Sequence, residues 1–137
     1  MRYCFFLIIF MPVLFLIGCS PRVYEVNTAV PKNVNTALQV RTASIMALSM
    51  LDWQYQELYP GLIEASKKSK SKLVTIYVVY GYAGYSIDYV NSENMKYNHQ
   101  KGRIDSGYNR WVDQLDKTII KMLKNGEENS ITYSGLQ

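Results

Sequence analysis

The sequence predicts an α+β fold: a two-layer sandwich in which two helices cover one face of a four-stranded antiparallel meander, in the order α-β-β-β-β-α. Three observations lead there. Short segments rich in β-branched and aromatic residues fill the stretch from Trp53 to Val90, punctuated by turn residues. Segments of helical periodicity stand before and after that stretch. The links between strand candidates are short, which makes neighbours antiparallel and leaves the helices to cover a common sheet.

The first helix opens at Asn35 or Thr36 as its cap and runs to about Met50, with Ala37, Leu38, Ile45 and Leu48 on one side. Its alanines and serines suit close packing on a sheet. Trp53 to Leu58 then alternates bulky and polar side chains, and Leu62 to Ser66 returns, so residues 53–66 read as a hairpin. Pro60-Gly61 supplies its turn, with proline fixing the first dihedral and glycine accepting a positive one. Lys67, Lys68, Lys70 and Lys72 fall where the next turn is expected, ahead of the strand Leu73–Tyr80. Gly81 and Gly84 bracket a further turn, and Tyr85 to Val90 alternates as the fourth strand.

Residues Asn91 to Ser106 are polar and turn-rich, with at most one short strand around Met95 to Tyr97. Asp105 or Ser106 caps a second helix whose apolar stripe is Tyr108, Trp111, Val112, Leu115, Ile119, Met122 and Leu123. Asn109, Arg110, Asp113, Asp116, Lys117 and Lys121 occupy its solvated side, with Asp113 and Lys117 in favourable i,i+4 order. Asn125-Gly126 is expected to stop this helix. The domain so defined covers residues 34–125, and 126–137 form a flexible tail. Strand Leu73–Tyr80 departs from a half-buried pattern, because Leu73, Tyr77 and Val79 face one way while Val74, Ile76, Val78 and Tyr80 face the other. Either the loop at 91–106 covers part of its second face, or a partner does.

The N-terminus carries a different signal. Behind Arg2, the apolar run from Phe5 to Ile17 is shorter than the roughly 20 residues a membrane-spanning helix needs. Its length suits the apolar region of a secretory signal. The run closes in Leu16-Ile17-Gly18-Cys19, which resembles the signal peptide and lipobox of bacterial lipoproteins. That resemblance implies that Leu16, Ile17 and Gly18 are read by the signal peptidase and that the Cys19 thiol takes the lipid. Residues 1–18 would be cleaved, and 19–33 would form a lipidated tether holding the domain to a membrane. Ser20 stands where an aspartate would resemble an inner-membrane retention signal, so the outer membrane, facing the periplasm, is the default location. The two cysteines, Cys4 and Cys19, then leave no thiol for a disulfide in the mature chain.

The chemistry-bearing residues are sparse. The single histidine, His99, sits in the polar loop with no cysteine or acid at ligand spacing, so neither a metal nor another cofactor is expected. There is no G-x-S-x-G elbow, P-loop or HExxH, so an enzyme ranks last among the readings. A net charge of +4 is mild, and no motif resembles a nucleic-acid binder. Of the twelve tyrosines, Tyr80 and Tyr82 lie beside a turn and are the first candidates for a contact surface. Lys67, Lys68, Lys70 and Lys72 read as a solvated turn, or else as a contact with anionic headgroups or cell-wall polymers. Asn109 and Trp111 are read structurally, as a helix-start bond to the preceding loop and as core.

A wider likeness covers the carboxyl half. Tyr85-Ser86-Ile87-Asp88-Tyr89, Ser92-Glu93-Asn94 with Tyr97, Ile104, Tyr108-Asn109-Arg110-Trp111-Val112, Leu115-Asp116 and Ile119, with Pro60 to Ala65 upstream, resemble a group of small, uncharacterised bacterial envelope lipoproteins. Where that group tends to carry a histidine after the Ile104 position, this chain has Asp105. The resemblance and the lipobox together imply a non-catalytic, lipid-anchored periplasmic module that contacts another envelope protein. A surface-exclusion or immunity lipoprotein is the alternative, and a peptidoglycan or glycan binding module a further one.

Overall fold

A computed structural model describes residues 20–30 and 36–134, with side chains through residue 126. Among these described residues, two helices and five strands follow one another as β1 (Val26–Ala29), α1 (Ala37–Met50), β2 (Gln54–Tyr59), β3 (Leu62–Ser69), β4 (Lys72–Tyr80), β5 (Gly84–Glu93) and α2 (Ser106–Ser134). The fold is α+β, with an open antiparallel sheet in the order β1-β5-β4-β3-β2. The expected four-stranded sheet is therefore corrected to five. Strands β2 to β5 run as consecutive hairpins, and the extra strand, β1, lies in the stretch read as tether. It pairs with β5, Val26 opposite Ile87 and Thr28 opposite Tyr85. Its partner lies some sixty residues downstream, which is why a local reading overlooks it. The alternation Val26, Thr28, Val30 is the signal that was there to find.

The turns follow their residue chemistry. Gly61 adopts φ +100° between β2 and β3, as a type II turn requires. The β3–β4 turn is Lys70-Ser71, with Lys70 at φ +56°, so Lys67 and Lys68 belong to the strand rather than the turn. Gly81 donates its N–H to the Gly84 carbonyl at 2.9 Å and closes the last hairpin. A register shift between Thr75 and Ile76 leaves Val90 as an extra residue of β5, which re-aims the strand end.

Thr36 caps α1 through a reciprocal box. Its hydroxyl accepts from the Gln39 N–H at 3.2 Å, while Gln39 Oε1 accepts from the Thr36 N–H at 3.1 Å. The buried side of α1 is Val40, Ala43, Ser44, Ala47 and Leu48, whereas Leu38 is 65% exposed, against the expected stripe. These small residues let α1 lie chiefly against α2 rather than flat on the sheet. Buried Ser44 satisfies its hydroxyl on the Val40 carbonyl at 2.8 Å.

Asp105 caps α2, accepting from the Gly107 N–H at 2.8 Å. That bond and the Lys72 ammonium at 2.9 Å hold its carboxyl below the usual range. Tyr108, Val112, Leu115, Ile119 and Leu123 are buried, with Trp111 and Met122 packed beside them. The helix does not stop at Asn125-Gly126; its backbone stays helical to Ser134. No helix among the described residues is long and apolar enough to cross a membrane.

Both helices reach the same sheet face. Arg41 of α1 bonds Glu57 of β2, and Asp116 of α2 accepts from Tyr85 of β5 at 2.6 Å and from Thr28 of β1 at 3.1 Å. Asp116 therefore ties the helix to the sheet edge instead of sitting on the solvated side, where Asp113 does pair with Lys117 at 2.8 Å. Val74, Ile76, Val78 and Ile87 fill the interior with no exposed surface. The loop after β5 contributes Met95 and Ile104 to that same interior, while on the second face of β4 Leu73 and Tyr77 are half-buried and Val79 is 42% exposed. Residues 95–97 form no strand.

Candidate functional site

The residues singled out as a contact surface do not come together. Lys72 and Tyr80 stand at opposite ends of the nine-residue β4, about 27 Å apart at roughly 3.4 Å per residue. The lysines also diverge. Lys70 is exposed at the turn tip, and Lys68 lies across from Leu73 on the open face. Lys72 is paired with Asp105. Lys67 lies under the helices, donating to the Leu51 carbonyl with its ammonium 5.8 Å from the Trp53 ring and 5.9 Å from the Trp111 ring.

Tyr82 is 76% exposed at the β4–β5 turn, as a contact residue would be, but Tyr80 is tied down. Its hydroxyl donates to Glu57, whose carboxylate also takes two Arg41 Nε contacts at 3.0 and 2.9 Å and one from Arg41 Nη2 at 2.6 Å. The Arg41 bonds, then the Tyr80 bond, pull the Glu57 carboxyl from 4.5 down to about 2. A carboxyl depressed by folding stabilises the native state above its unfolded value and loses that contribution as pH falls toward its native one. Thermal melts of wild type and Glu57→Gln are therefore expected to differ at neutral pH and to converge between about pH 4.5 and 2.

A cleft of about 460 Å³ opens elsewhere, between the chain entering β1, the β5 residues Asp88 and Tyr89, and the loop around residues 97–102. Its outer wall is the segment before β1, laced to the body by backbone bonds. Ile104 donates to the Pro21 carbonyl at 3.0 Å and Val23 to the Gly102 carbonyl at 2.8 Å. Asn109, near the start of α2, clamps the same segment with both ends of its amide. It accepts from the Tyr24 N–H at 2.8 Å and donates to the Arg22 carbonyl at 2.7 Å. Its role is structural, as expected, although the partner is the N-terminal segment and not the loop before the helix.

Tyrosines build the inner side. Tyr89 packs on Tyr97 with ring centroids 4.5 Å apart and meets Tyr108 edge-on at 5.6 Å. The Tyr89 hydroxyl shares a 2.9 Å hydrogen bond with Ser92. The Tyr108 hydroxyl, by contrast, is fully buried and has no hydrogen-bond partner among the described residues. Burial is the main reason its pKa is raised, followed by the fields of Tyr89, Asp88, Glu25 and Tyr97, all of which line the cleft. Arg22 and Lys101 complete the lining with positive charge. With Glu25 and Asp88 the lining carries charges of both signs, and Tyr108 is not among the residues that line it.

None of the lining residues was a sequence candidate. They come from four separate stretches, and the first, Arg22 to Glu25, read as tether. His99 lies beside this group, its ring 6.2 Å from Tyr97. Among the described residues no cluster of three or more His, Cys, Asp or Glu is placed to hold a metal ion. Leu16, Ile17, Gly18 and Cys19 lie outside the described residues. No family model matches the chain, and comparisons with curated proteins and with solved structures find none that is similar.

Proposed function

We propose that the chain is a non-catalytic, lipid-anchored binding module of the bacterial cell envelope, held to a membrane through Cys19, facing the periplasm, and contacting an envelope protein. The observation that carries this reading is the run Leu16-Ile17-Gly18-Cys19 at the end of a short apolar segment. The fold supports a recognition role, since one sheet face bears no helix among the described residues and presents Val79 and the neighbouring row of mixed polar side chains. Exposed Tyr82 stands at the edge of that face, where a tyrosine combines apolar area with a hydrogen-bonding tip. The bonds at Pro21 also revise the tether. A lipid on Cys19 would hold the folded body only two residues away from its anchor.

Growth with radiolabelled palmitate tests the anchor. Label is expected on the wild-type chain and absent from Cys19→Ser, and an unlabelled wild type would overturn the reading. Crosslinking in cells followed by affinity capture tests the partner, which should enrich over an unrelated lipid-anchored control and be reduced by Tyr82→Ala.

A further inference from the structure

The charges of the fold are unevenly placed. The Lys70-Ser71 turn and the loop after β5 meet at one end of the sheet, where the Asn94 amide donates to the Ser71 carbonyl at 2.7 Å and Lys72 pairs with Asp105 at 2.9 Å. The same loop holds the segment before β1, through the bonds of Ile104 to Pro21 and of Val23 to Gly102. Arg22, Lys68, Lys70, Lys96 and Lys101 are all exposed at this end. Lys72 and Arg103 lie half-buried beside them. Against these seven cations stand three carboxylates, Asp52 after α1, Glu93 and Asp105. Elsewhere among the described side chains, cations and carboxylates number six each, so the net charge of the described part resides at this end. The acids of the cleft are farther in. Asp88 is opposite Tyr77, five residues or about 17 Å along β4 from Lys72, and Glu25 precedes Val26, the partner of Ile87, at the same level. That is twice the screening length of about 8 Å at physiological salt. The turns themselves do not call for lysine. Lys70 and Lys96 have φ of +56° and +51°, a conformation that glycine or asparagine adopts at lower cost. The place of the anchor is a separate observation. Pro21 follows Cys19 by two residues, at most about 7 Å of extended chain.

We infer that this basic end docks on the phospholipid headgroups of an anionic bilayer, with Arg22, Lys68, Lys70, Lys96 and Lys101 as its contacts. The inference rests on the proposed anchor, which brings the membrane within reach. A lipid on Cys19 would keep this end of the sheet, and no other, beside the bilayer. Each cation near an anionic surface gains about a fivefold preference for it, the equivalent of about 1 kcal/mol. Several acting together fix an orientation that a short link to a lipid does not impose by itself. In that orientation the sheet stands with its far end outward. The β2–β3 and β4–β5 turns are at that end, with Tyr59 61% and Tyr82 76% exposed. The surface offered to an envelope protein is thereby turned away from the membrane.

The test is covalent footprinting of lysines, read by mass spectrometry, in the chain as purified from cells. The chain is reconstituted on vesicles of phosphatidylcholine alone or mixed equally with phosphatidylglycerol. Lys68, Lys70, Lys96 and Lys101 are expected to react about fivefold more slowly on the anionic vesicles. Lys121 and Lys124, exposed and about four turns or more along α2 from its start, should react equally on both. Raising the salt to about 1 M, where the screening length is about 3 Å, should remove the difference. Joint replacement by Lys68→Gln, Lys96→Gln and Lys101→Gln should leave Lys70 equally reactive on both surfaces. Lys121→Gln with Lys124→Gln removes charge at the other end of α2 and should leave the protection of Lys70 intact. Equal reactivity of the wild-type lysines on both vesicles would overturn the inference, as would slowing that includes Lys121 and Lys124 to the same degree. So would slowing by a soluble anionic glycan without slowing by the anionic bilayer. Palmitate labelling is scored on the same preparation: slowing without label refutes only the anchor, and label without slowing refutes only the docking end.

Discussion

Trp53→Ala is expected to destabilise the fold by about 3–5 kcal/mol, the range for deleting a large buried aromatic. Trp53 is 3% exposed although it lies just outside β2, and it closes the interior where α1 ends. Its backbone N–H donates to the Leu48 carbonyl at 2.9 Å, which locks the exit of the helix. The indole also carries Lys67, whose ammonium lies between this ring and Trp111. Removing the ring opens a cavity and leaves a half-buried cation with one aromatic neighbour fewer. Domains of this size are stable by about 5–15 kcal/mol, so the loss is a large share of the total. Urea denaturation would read it as a lower midpoint with an unchanged slope. Trp53→Phe should recover much of the loss, because the indole Nε1 has no hydrogen-bond partner among the described residues.

Gly84→Val is expected to detach β1 from the sheet at a cost of about 3 kcal/mol or more, at the upper end for overpacking. A Cβ at Gly84 would lie 2.2 Å from the Thr28 carbonyl oxygen and 3.2 Å from the Ala29 Cα. Both obstacles are backbone, so no rotamer change relieves them. The strand would move off β5, breaking the Val30 N–H bond to the Ala83 carbonyl and exposing Val26. Hydrogen exchange should show residues 26–30 losing protection while β3 and β4 keep theirs. Gly81→Ala serves as the control, since a Cβ there meets nothing within 4 Å.

These two substitutions also mark what was readable in the chain. Pro60-Gly61, the Gly81–Gly84 bracket, the Thr36 cap and the α2 stripe all act through neighbours within a few residues, so their residue types suffice to place them. The three hairpins follow from them. Strand β1 is different. It is four residues long, and it pairs with a strand formed much later in the chain. Lys67 reads as a turn residue until the register places it opposite Val74, on the inner face. Asp116 has the same spacing from Asp113 as any exposed i,i+3 pair, and only the approach of Tyr85 and Thr28 makes it an acceptor.

Order along the chain settled the hairpins and the helix with a broad apolar stripe, because each depends on short-range periodicity and dihedral preference. Packing settled the rest. Closure of the sheet edge by β1, capture of Lys67 beside two tryptophans, and the cleft between the chain entering β1 and the start of the loop after β5 each need groups from distant positions at hydrogen-bonding or van der Waals range. Those distances are set by strand register and helix placement, quantities that no local pattern of side chains encodes.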